Sequence, residues 1–234
     1  MQEQIITKNQ CKICDEKSCA VSALKEDELE LMSRNSSQVH FQEEEMIFKQ
    51  NSPASHIIFI KQGLVKEHMS GPNKKDQILK IVKGPAFLRV ASKLKYNINS
   101  YSATTLTESK ICFIDIGVFK DLLFKNSSFS YEVLISVCED GLYCFDKFVN
   151  QTQKHIHGRL ADALLFFSSE IYNDSHFTLP ITITELADLI GSSRESVSRC
   201  LQTFKKEEII GFNGQKICMN ILDKTKLQII SKAG

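Results

Sequence analysis

Residues 181–212 read ITITELADLIGSSRESVSRCLQTFKKEEIIGF and carry the signals of two short helices. Thr182 and Ser192 each have a glutamate three residues later, the spacing of a capping box, in which a hydroxyl and a carboxylate satisfy the free amide groups at a helix N-terminus. Gly191 lies between the two signals, where a helix end needs a residue that tolerates positive φ. The stretch therefore predicts a helix-turn-helix whose helices begin at Thr182 and Ser192.

The second helix is predicted to have two different faces. At about 100° per residue, its apolar arc contains Val197, Cys200, Leu201 and Phe204, and its polar arc contains Arg194, Glu195, Ser198, Arg199 and Gln202. The apolar arc is expected to pack against the domain. The polar arc suits base edges in a DNA major groove, because arginine can bind guanine through two hydrogen bonds and glutamate can accept one from cytosine. The alternative is an ordinary solvated helix face.

A β-hairpin is predicted directly after this helix. Asn213 and Gly214 separate the apolar run at residues 209–212 from a second run at residues 215–221. Asn-Gly between two such runs is typical of a type I′ turn, since both of its central residues need positive φ. A hairpin in this place forms a wing beside the helix-turn-helix.

The order of helix, GSSRESVSRCL and hairpin resembles the C-terminal domain of the Crp/Fnr family of bacterial transcription regulators, and the resemblance extends over nearly the whole chain. Arg194, Glu195 and Arg199 match the pattern with which the cyclic AMP branch reads its DNA half-site, whereas Glu195, Ser198 and Arg199 match that of the Fnr branch. The resemblance implies a homodimer on a palindromic operator of double-stranded DNA, with TGTGA-like or TTGAT-like half-sites and RNA polymerase as a further partner. Taken with the polar arc and the local positive charges, the predicted DNA contacts are Thr182, Ser193, Arg194, Glu195, Ser198, Arg199, Gln202 and Lys216.

The composition sets only broad bounds on function. The chain has 234 residues, enough for one large or two small domains, and its formal net charge of +1 gives no overall attraction to a polyanion. Residues 1–10 are polar, without the apolar core of a signal peptide, and no apolar run is long enough to span a bilayer. We therefore expect a cytoplasmic protein with no membrane partner, in which the eight cysteines are thiols or metal ligands and not disulfides.

Three cysteines near the N-terminus form a Cys-x2-Cys-x4-Cys pattern, at Cys11, Cys14 and Cys19. Thiolates at such spacing can converge on one thiophilic centre, an iron-sulfur cluster or a zinc ion. In the Fnr branch that the chain resembles, three N-terminal cysteines and one distant cysteine in a strand hold a 4Fe-4S cluster, and Cys112 matches the distant one. The last N-terminal gap is one residue shorter than in the best-known Fnr pattern. Zinc, a regulatory thiol group and a loop without a ligand remain alternatives.

The middle of the chain changes to short β-rich runs, which are typical of a sandwich or roll. The runs are residues 39–41, 46–48, 57–60, 64–69, 78–82, 102–106 and 111–116. This pattern matches the family's cyclic-nucleotide-binding β-roll. Family members that bind the nucleotide carry a Gly-Glu pair and an Arg-Ser pair, but here Gly84 is followed by Pro85 and Tyr101 stands at the arginine position. We therefore do not expect this roll to bind a cyclic nucleotide.

Residues 131–156 have apolar side chains every three or four positions, the period of a helical stripe. The helix is either a core helix on the roll or, as the resemblance implies, a dimerisation helix that sets two recognition helices about 34–36 Å apart. Residues 155–159 are predicted to be a hinge into a further helix at residues 160–172. The stripe consists of Leu134, Cys138, Leu142, Phe145, Val149, Thr152 and Ile156. The cysteines Cys138, Cys144, Cys200 and Cys218 are predicted to be small core residues and not ligands.

The predicted fold is α+β, with an N-terminal cyclic-nucleotide-binding-type β-roll, a long dimerisation helix and a C-terminal winged helix-turn-helix. The predicted segments are residues 1–37 for the cysteine segment and its acidic helix at 24–32, 38–129 for the roll, 130–156 for the dimerisation helix and 157–234 for the DNA-binding domain. The predicted function is a transcription regulator that responds to redox state, oxygen or nitric oxide through the cluster. A ligand-gated regulator whose roll binds another small molecule is the alternative. No catalytic residues are recognisable, so an enzyme is not expected.

Overall fold

A computed structural model describes residues 6–8, 11, 14, 16–72, 75–88, 90–95, 98–213 and 217–234. The chain divides into two compact units, Met1–Leu142 and Tyr143–Gly234. The predicted α+β class and the order of roll, long helix and winged helix-turn-helix are confirmed. Within the described residues, no helix is both long and apolar enough to cross a bilayer.

The first unit contains two antiparallel sheets. The five-stranded sheet has the order β1-β2-β9-β4-β7 and the four-stranded sheet the order β3-β8-β5-β6. The strands are β1 (Ile6–Lys8), β2 (Ser36–Phe41), β3 (Met46–Phe48), β4 (His56–Gln62), β5 (Leu64–Ser70), β6 (Asp76–Lys83), β7 (Ala86–Phe87), β8 (Ser102–Thr105) and β9 (Ser109–Asp115). All seven predicted β-runs are present as strands, whereas the short β1 and β7 were not predicted.

Both faces of the middle of β4, in the five-stranded sheet, are buried. Along β4, Ile58 and Ile60 pack into the apolar cluster that also contains residues of the four-stranded sheet, while Ile57 and Phe59 pack on the opposite side against helices. Successive side chains of a strand point to opposite faces, so a strand with two buried faces reads as a continuous apolar run. The helices on the second side are α1 (Cys19–Ser22), α2 (Glu26–Arg34), α4 (Ile116–Lys125) and the first turns of α5 (Ser127–Gln153). A short helix, α3 (Val90–Lys95), follows β7.

Asn126 joins the ends of three of these helices. Its Nδ2 donates to the carbonyl of Ala23, at the end of α1, at 3.1 Å and to Glu28 Oε2, in the first turn of α2, at 2.7 Å. Its Oδ1 accepts from the Phe129 amide at 2.9 Å and so caps α5. The residue is 8% exposed. One buried amide therefore connects the N-terminal segment to the start of the long helix.

The long helix ends earlier than predicted. α5 ends at Gln153, and His155 adopts an extended backbone as the N-cap of a new helix, α6 (Ile156–Phe166). The side chain of Lys154 turns back to Asp162, with 2.7 Å between Lys154 Nζ and Asp162 Oδ2. Ile156 continues the apolar period of α5 in sequence but lies in α6, so its place on the stripe and the hinge at residues 155–159 were predicted wrongly.

The second unit also contains a small antiparallel sheet with the order β10-β12-β11. After α6 the chain forms a π-helical segment (Phe167–Tyr172), β10 (His176–Thr178), α7 (Ile183–Ile190), α8 (Arg194–Lys206), β11 (Ile210–Asn213), β12 (Cys218–Ile221) and α9 (Lys224–Ala233). α9 packs on α6 so closely that a Cβ on Gly158 would lie 2.8 Å from the backbone of Gly234. α7 and α8 form the predicted helix-turn-helix, and β11 and β12 form the predicted wing.

Candidate nucleic-acid interface

The first helix of the motif begins as predicted. The Thr182 hydroxyl accepts from the Glu185 amide at 3.2 Å, and Glu185 Oε2 accepts from the Thr182 amide at 2.9 Å, so both halves of the capping box are formed. The Thr182 hydroxyl also donates to Glu185 Oε2 at 2.9 Å. Gly191 ends the helix with a φ of 65°, in the left-handed region that favours glycine. In this arrangement the Thr182 hydroxyl is occupied by the cap.

The second helix begins one residue later than predicted. Ser193, not Ser192, is the N-cap, and its hydroxyl accepts from the Ser196 amide at 3.2 Å. The Ser192 amide still donates to the carbonyl of Ala187 at 2.9 Å, which makes Ser192 part of the end of α7. Ser193 is the residue with the extended backbone that an N-cap requires. The capping box predicted for Ser192 and its glutamate is therefore wrong.

The two faces of α8 are as predicted. Arg194, Glu195, Arg199 and Gln202 are exposed and Ser198 is half-buried. The opposite side chains are almost fully buried, with exposed fractions of 0% for Val197, 3% for Cys200, 1% for Leu201 and 1% for Phe204. Burial raises the pKa of the Cys200 thiol to about 12, so this cysteine is a neutral core residue. The helix therefore presents a polar surface from a fixed apolar base.

The N-cap of α8 and two side chains on the helix form a hydrogen-bonded chain. Arg199 Nη2 donates to Ser196 Oγ at 3.3 Å, and the hydroxyls of Ser196 and Ser193 lie 3.0 Å apart. Sequence reasoning missed Ser196, although its spacing of three residues from both partners is a sufficient signal. The guanidinium group of Arg199 is thereby held near the N-terminal half of the helix.

The turn of the motif rests on the last turn of α5 and the first turn of α6. A Cβ on Gly191 would lie 3.0 Å from Gln151 Nε2 and 3.8 Å from Arg159 Nη1. Arg159 Nη1 also donates to the Gln151 carbonyl at 3.3 Å. Neither supporting residue was identified from the sequence, because neither lies in the motif. Together they limit how far the turn can move relative to these two helix ends.

Lys205 connects α8 to the wing. Its Nζ donates to the Phe212 carbonyl at 3.2 Å and lies 4.8 Å from the centre of the Phe212 ring. Asn213 pairs with Cys218 as the last residue of β11, so it is not a central residue of a two-residue turn as predicted, and Gly214, the other predicted turn residue, lies outside the described residues. Lys216, a predicted phosphate contact, lies outside the described residues.

The four predicted cluster ligands do not form one group, although two of them share a cluster. Cys11 and Cys112 are buried in the same apolar cluster, while Cys14 is half-buried and Cys19 is exposed at the start of α1. Burial raises the pKa of the Cys11 thiol, although a hydrogen bond with Ser33 opposes part of this effect. Within the described residues, no three cysteine, histidine or carboxylate side chains form a group that could hold a metal ion. The described residues therefore do not form a complete ligand set for a cluster or a zinc ion, and cofactor binding stays an untested prediction.

The roll contains a buried cation that the sequence did not indicate. Lys93 is 1% exposed; its Nζ donates to Asn99 Oδ1 at 2.6 Å and lies 4.0 Å from the centre of the Phe48 ring. Burial lowers the pKa of Lys93 to about 8, and the carboxylate of Glu67 opposes part of this shift. Tyr101, at the position of the family's arginine, is 2% exposed and packs edge-on against Phe48.

Two parts of the chain match known domain families. Residues 38–126 match the cyclic nucleotide-binding domain, and residues 158–230 match the Crp-like helix-turn-helix domain. The probable transcriptional regulator flp of Lacticaseibacillus casei is 28% identical over 166 residues, which cover 70% of this chain and 74% of that protein. The listeriolysin regulatory protein of Listeria monocytogenes is 26% identical over 195 residues, 80% of this chain and 82% of that protein. The solved structure of FixK2 from Bradyrhizobium japonicum has the same fold, with a TM-score of 0.75 at 15% identity over 83% of this chain and 96% of that one.

Proposed function

Because this chain belongs to the Crp/Fnr family of transcription regulators, we propose that it binds a specific sequence of double-stranded DNA with α8 in the major groove. The observation that carries the proposal is the division of α8 into an exposed polar face and a fully buried apolar face. An ordinary solvated helix face would not require two arginines, a glutamate and a glutamine on the same arc. These side chains match the hydrogen-bonding groups of base edges.

The proposed contacts divide into two kinds. Arg194, Glu195, Ser198, Arg199 and Gln202 contact bases, whereas Ser193 and Thr182 contact phosphates near the helix N-termini, where amide groups favour an anion. Thr182 would exchange its hydrogen bond with Glu185 for one with a phosphate. Lys216 is a further proposed phosphate contact. Base contacts decide the sequence that is bound, and phosphate contacts decide the register.

The active form is proposed to be a homodimer that pairs through α5. Large apolar side chains remain exposed along this helix, among them Tyr131 at 61%, Leu142 at 61% and Phe145 at 70%. An apolar surface of this kind on a helix marks an interaction site. A two-fold pair would place two recognition helices about 34–36 Å apart, as a palindromic operator requires. RNA polymerase is the further proposed partner.

The signal is proposed to act through the N-terminal cysteine segment. Cys11 belongs to the same apolar cluster as Phe129 and Val133 in the first turns of α5, so a chemical change at Cys11 would alter the packing of that helix. The test is the content of iron, acid-labile sulfide and zinc in protein purified without oxygen. Iron and sulfide that are lost in a Cys112→Ser variant would support an Fnr-like sensor, whereas protein without iron would contradict the iron-sulfur prediction.

A second candidate is a regulator whose roll binds a small molecule other than a cyclic nucleotide. The observation in its favour is the buried ammonium group of Lys93, which lies beside Asn99 and Phe48. A ligand-dependent rise in melting temperature that persists in a Cys11→Ser variant would support it. No shift with any ligand tested would count against it.

The DNA-binding proposal is tested by selecting sites from a random duplex library with the full chain. A palindrome with two half-sites centred one helical turn apart is expected. The Arg199→Ala variant should lose preference at one position of each half-site, whereas Lys224→Ala, which removes an exposed positive charge on α9, should select the same sequence. Recovery of no common sequence would refute the proposal.

A further inference from the structure

The exposed apolar side chains of α5 surround one cysteine. On a wheel of about 100° per residue, Cys138 lies at the centre of a stripe that also contains Tyr131, Leu134, Leu142, Phe145 and Val149. All of these are exposed. Phe129, on the opposite side of the helix, is fully buried. The prediction that Cys138 and Cys144 are core residues is therefore wrong, because both are exposed.

The stripe has the spacing and the size of a surface that pairs with its own copy. Ile135 lies at the edge of the stripe, and when it is taken in place of Leu134, successive positions are separated alternately by four and three residues, the heptad spacing of two-stranded coiled coils. At roughly 200 Å² for a large side chain, the exposed fractions of the apolar side chains of the stripe correspond to roughly 600 Å², the lower end of the about 600–1,000 Å² that each partner of a standard interface buries. The positions with this spacing are Tyr131, Ile135, Cys138, Leu142, Phe145 and Val149.

Small residues allow close approach at the middle of this stripe. Cys138 is followed one turn later by Gly141, and a Cβ on Gly141 would meet no atom within 4 Å. Packed helices lie about 8–10 Å apart, and Cα atoms lie about 2.3 Å from each axis. Two residues that face each other directly across such a pair therefore have Cα atoms about 3.4–5.4 Å apart, a range that overlaps the 4.4–6.8 Å of disulfides.

We propose that Cys138 of one copy faces Cys138 of a second copy across a parallel α5 pair, and that the two thiols form an intersubunit disulfide. The inference rests on the dimer proposed above and adds a modification site to it. In a parallel pair about a two-fold axis, each central residue meets its own counterpart. An antiparallel pair would instead set Cys138 against a different residue.

The oxidant is a peroxide. The thiol of one Cys138 loses its proton, and the thiolate attacks one oxygen of hydrogen peroxide, so that the S–O bond of a sulfenic acid forms and the O–O bond breaks. The hydroxide that leaves takes up the proton lost by the thiol and becomes water. The thiol of the second copy then attacks that sulfur, the S–S bond forms, and the sulfenic oxygen leaves as a second water. The two sulfurs lose two electrons in total, and the peroxide gains them. Oxidation at this position stabilises the dimer, the opposite of what loss of a sensor cluster is expected to do.

The chain offers a matched control on the same helix. Cys144 is also exposed, but on the wheel it lies about 120° from Cys138, outside the stripe. The full-length protein and its Cys138→Ser and Cys144→Ser variants are reduced, treated with hydrogen peroxide and run on denaturing gels with and without dithiothreitol. The wild type and Cys144→Ser should form a covalent dimer that dithiothreitol dissociates, and Cys138→Ser should lose it.

Sedimentation equilibrium of the untreated proteins distinguishes failure of the proposed disulfide from failure of the proposed dimer. A dimer in solution that forms no covalent species would overturn the proposed thiol pair and leave the dimer standing. A monomer at all concentrations would overturn both. A covalent dimer that persists in Cys138→Ser would also overturn the inference, since another cysteine would then form the bond. Serine has nearly the shape of cysteine, and circular dichroism of the reduced variants checks that they are folded.

Discussion

The buried ammonium group of Lys93 is expected to make the stability of the protein depend on pH in an unusual range. The side chain is 1% exposed, and its pKa is lowered from 10.5 to about 8. Each tenfold change in proton affinity corresponds to about 1.4 kcal/mol, so the protonated form of Lys93 lowers the free energy of unfolding by about 3 kcal/mol. Burial outweighs the favourable effect of Glu67 in this balance.

The sign of the dependence follows from the two pKa values. Below pH 8 the lysine is protonated in both the folded and the unfolded chain, and the cost of burying the charge is constant. Between pH 8 and pH 10.5 the unfolded chain binds the proton and the folded chain does not, so unfolding takes up a proton and its free energy rises with pH. The contribution of Lys93 should therefore become about 3 kcal/mol more favourable across this range.

The measurement is urea unfolding of the wild type and of Lys93→Met, followed by circular dichroism at several values from pH 7 to pH 10.5 in the presence of a thiol reductant. Methionine has a similar length but no charge. It also lacks the hydrogen bond to Asn99, and this loss changes the free energy of unfolding by an amount that does not depend on pH. Subtracting the free energy of unfolding of the variant from that of the wild type at each pH removes the effect of titrating groups that both proteins share. Lys95→Met, at an exposed position of the same helix, is the control. A difference that stays constant over the whole range would refute the reasoning.

Three further predictions concern the helix-turn-helix. Arg199→Ala should weaken operator binding by about 1–3 kcal/mol and relax one base position, as measured by fluorescence anisotropy on operators altered at single positions; an unchanged sequence preference would contradict the assignment. Ser196→Ala should weaken operator binding by about 0.5–1.5 kcal/mol, because Arg199 loses a hydrogen bond, while binding to unrelated DNA stays constant; equal losses on both DNAs would argue against a positioning role. Gly191→Ala should lower the free energy of unfolding by about 1–2 kcal/mol, because alanine is strained at a φ of 65°, and an unchanged melting temperature would exclude this strain.

Local signals predicted the recognition elements, and their errors have local causes. Thr182 and Gly191 were identified because a helix N-cap and a residue with positive φ depend only on residues within one helical turn. Ser192 and Ser193 offer the same hydroxyl one position apart, and the choice between them depends on the bond from the Ser192 amide to Ala187, which pattern alone does not reveal. The end of α5 was missed because Ile156 continues the apolar period even though the backbone breaks at His155.

Features that depend on distant parts of the chain could not be predicted. The sequence around Lys93 mixes polar and apolar residues without a clear pattern, and only the folded roll encloses its ammonium group beside Asn99 and Phe48. Periodicity identified the apolar stripe that contains Cys138. The same periodicity occurs in a helix whose apolar side is buried by the rest of the chain and in one whose apolar side stays exposed, so the pattern does not decide between them. The spacing of the N-terminal cysteines likewise indicated a possible ligand set without deciding whether the chain gathers it.

The junction at Asn126 has a practical consequence for stored protein. Asparagine followed by serine is a sequence that loses its amide by slow hydrolysis, and the product here would be a carboxylate in place of the Nδ2 group that lies 2.7 Å from Glu28. The remaining oxygen could still cap α5, but two negative charges would face each other where a donor and an acceptor now meet. Ageing of a purified sample would thus weaken the polar connection between the N-terminal segment and the long helix while leaving their apolar packing in place, and a gain of about one dalton in mass would identify the altered molecules.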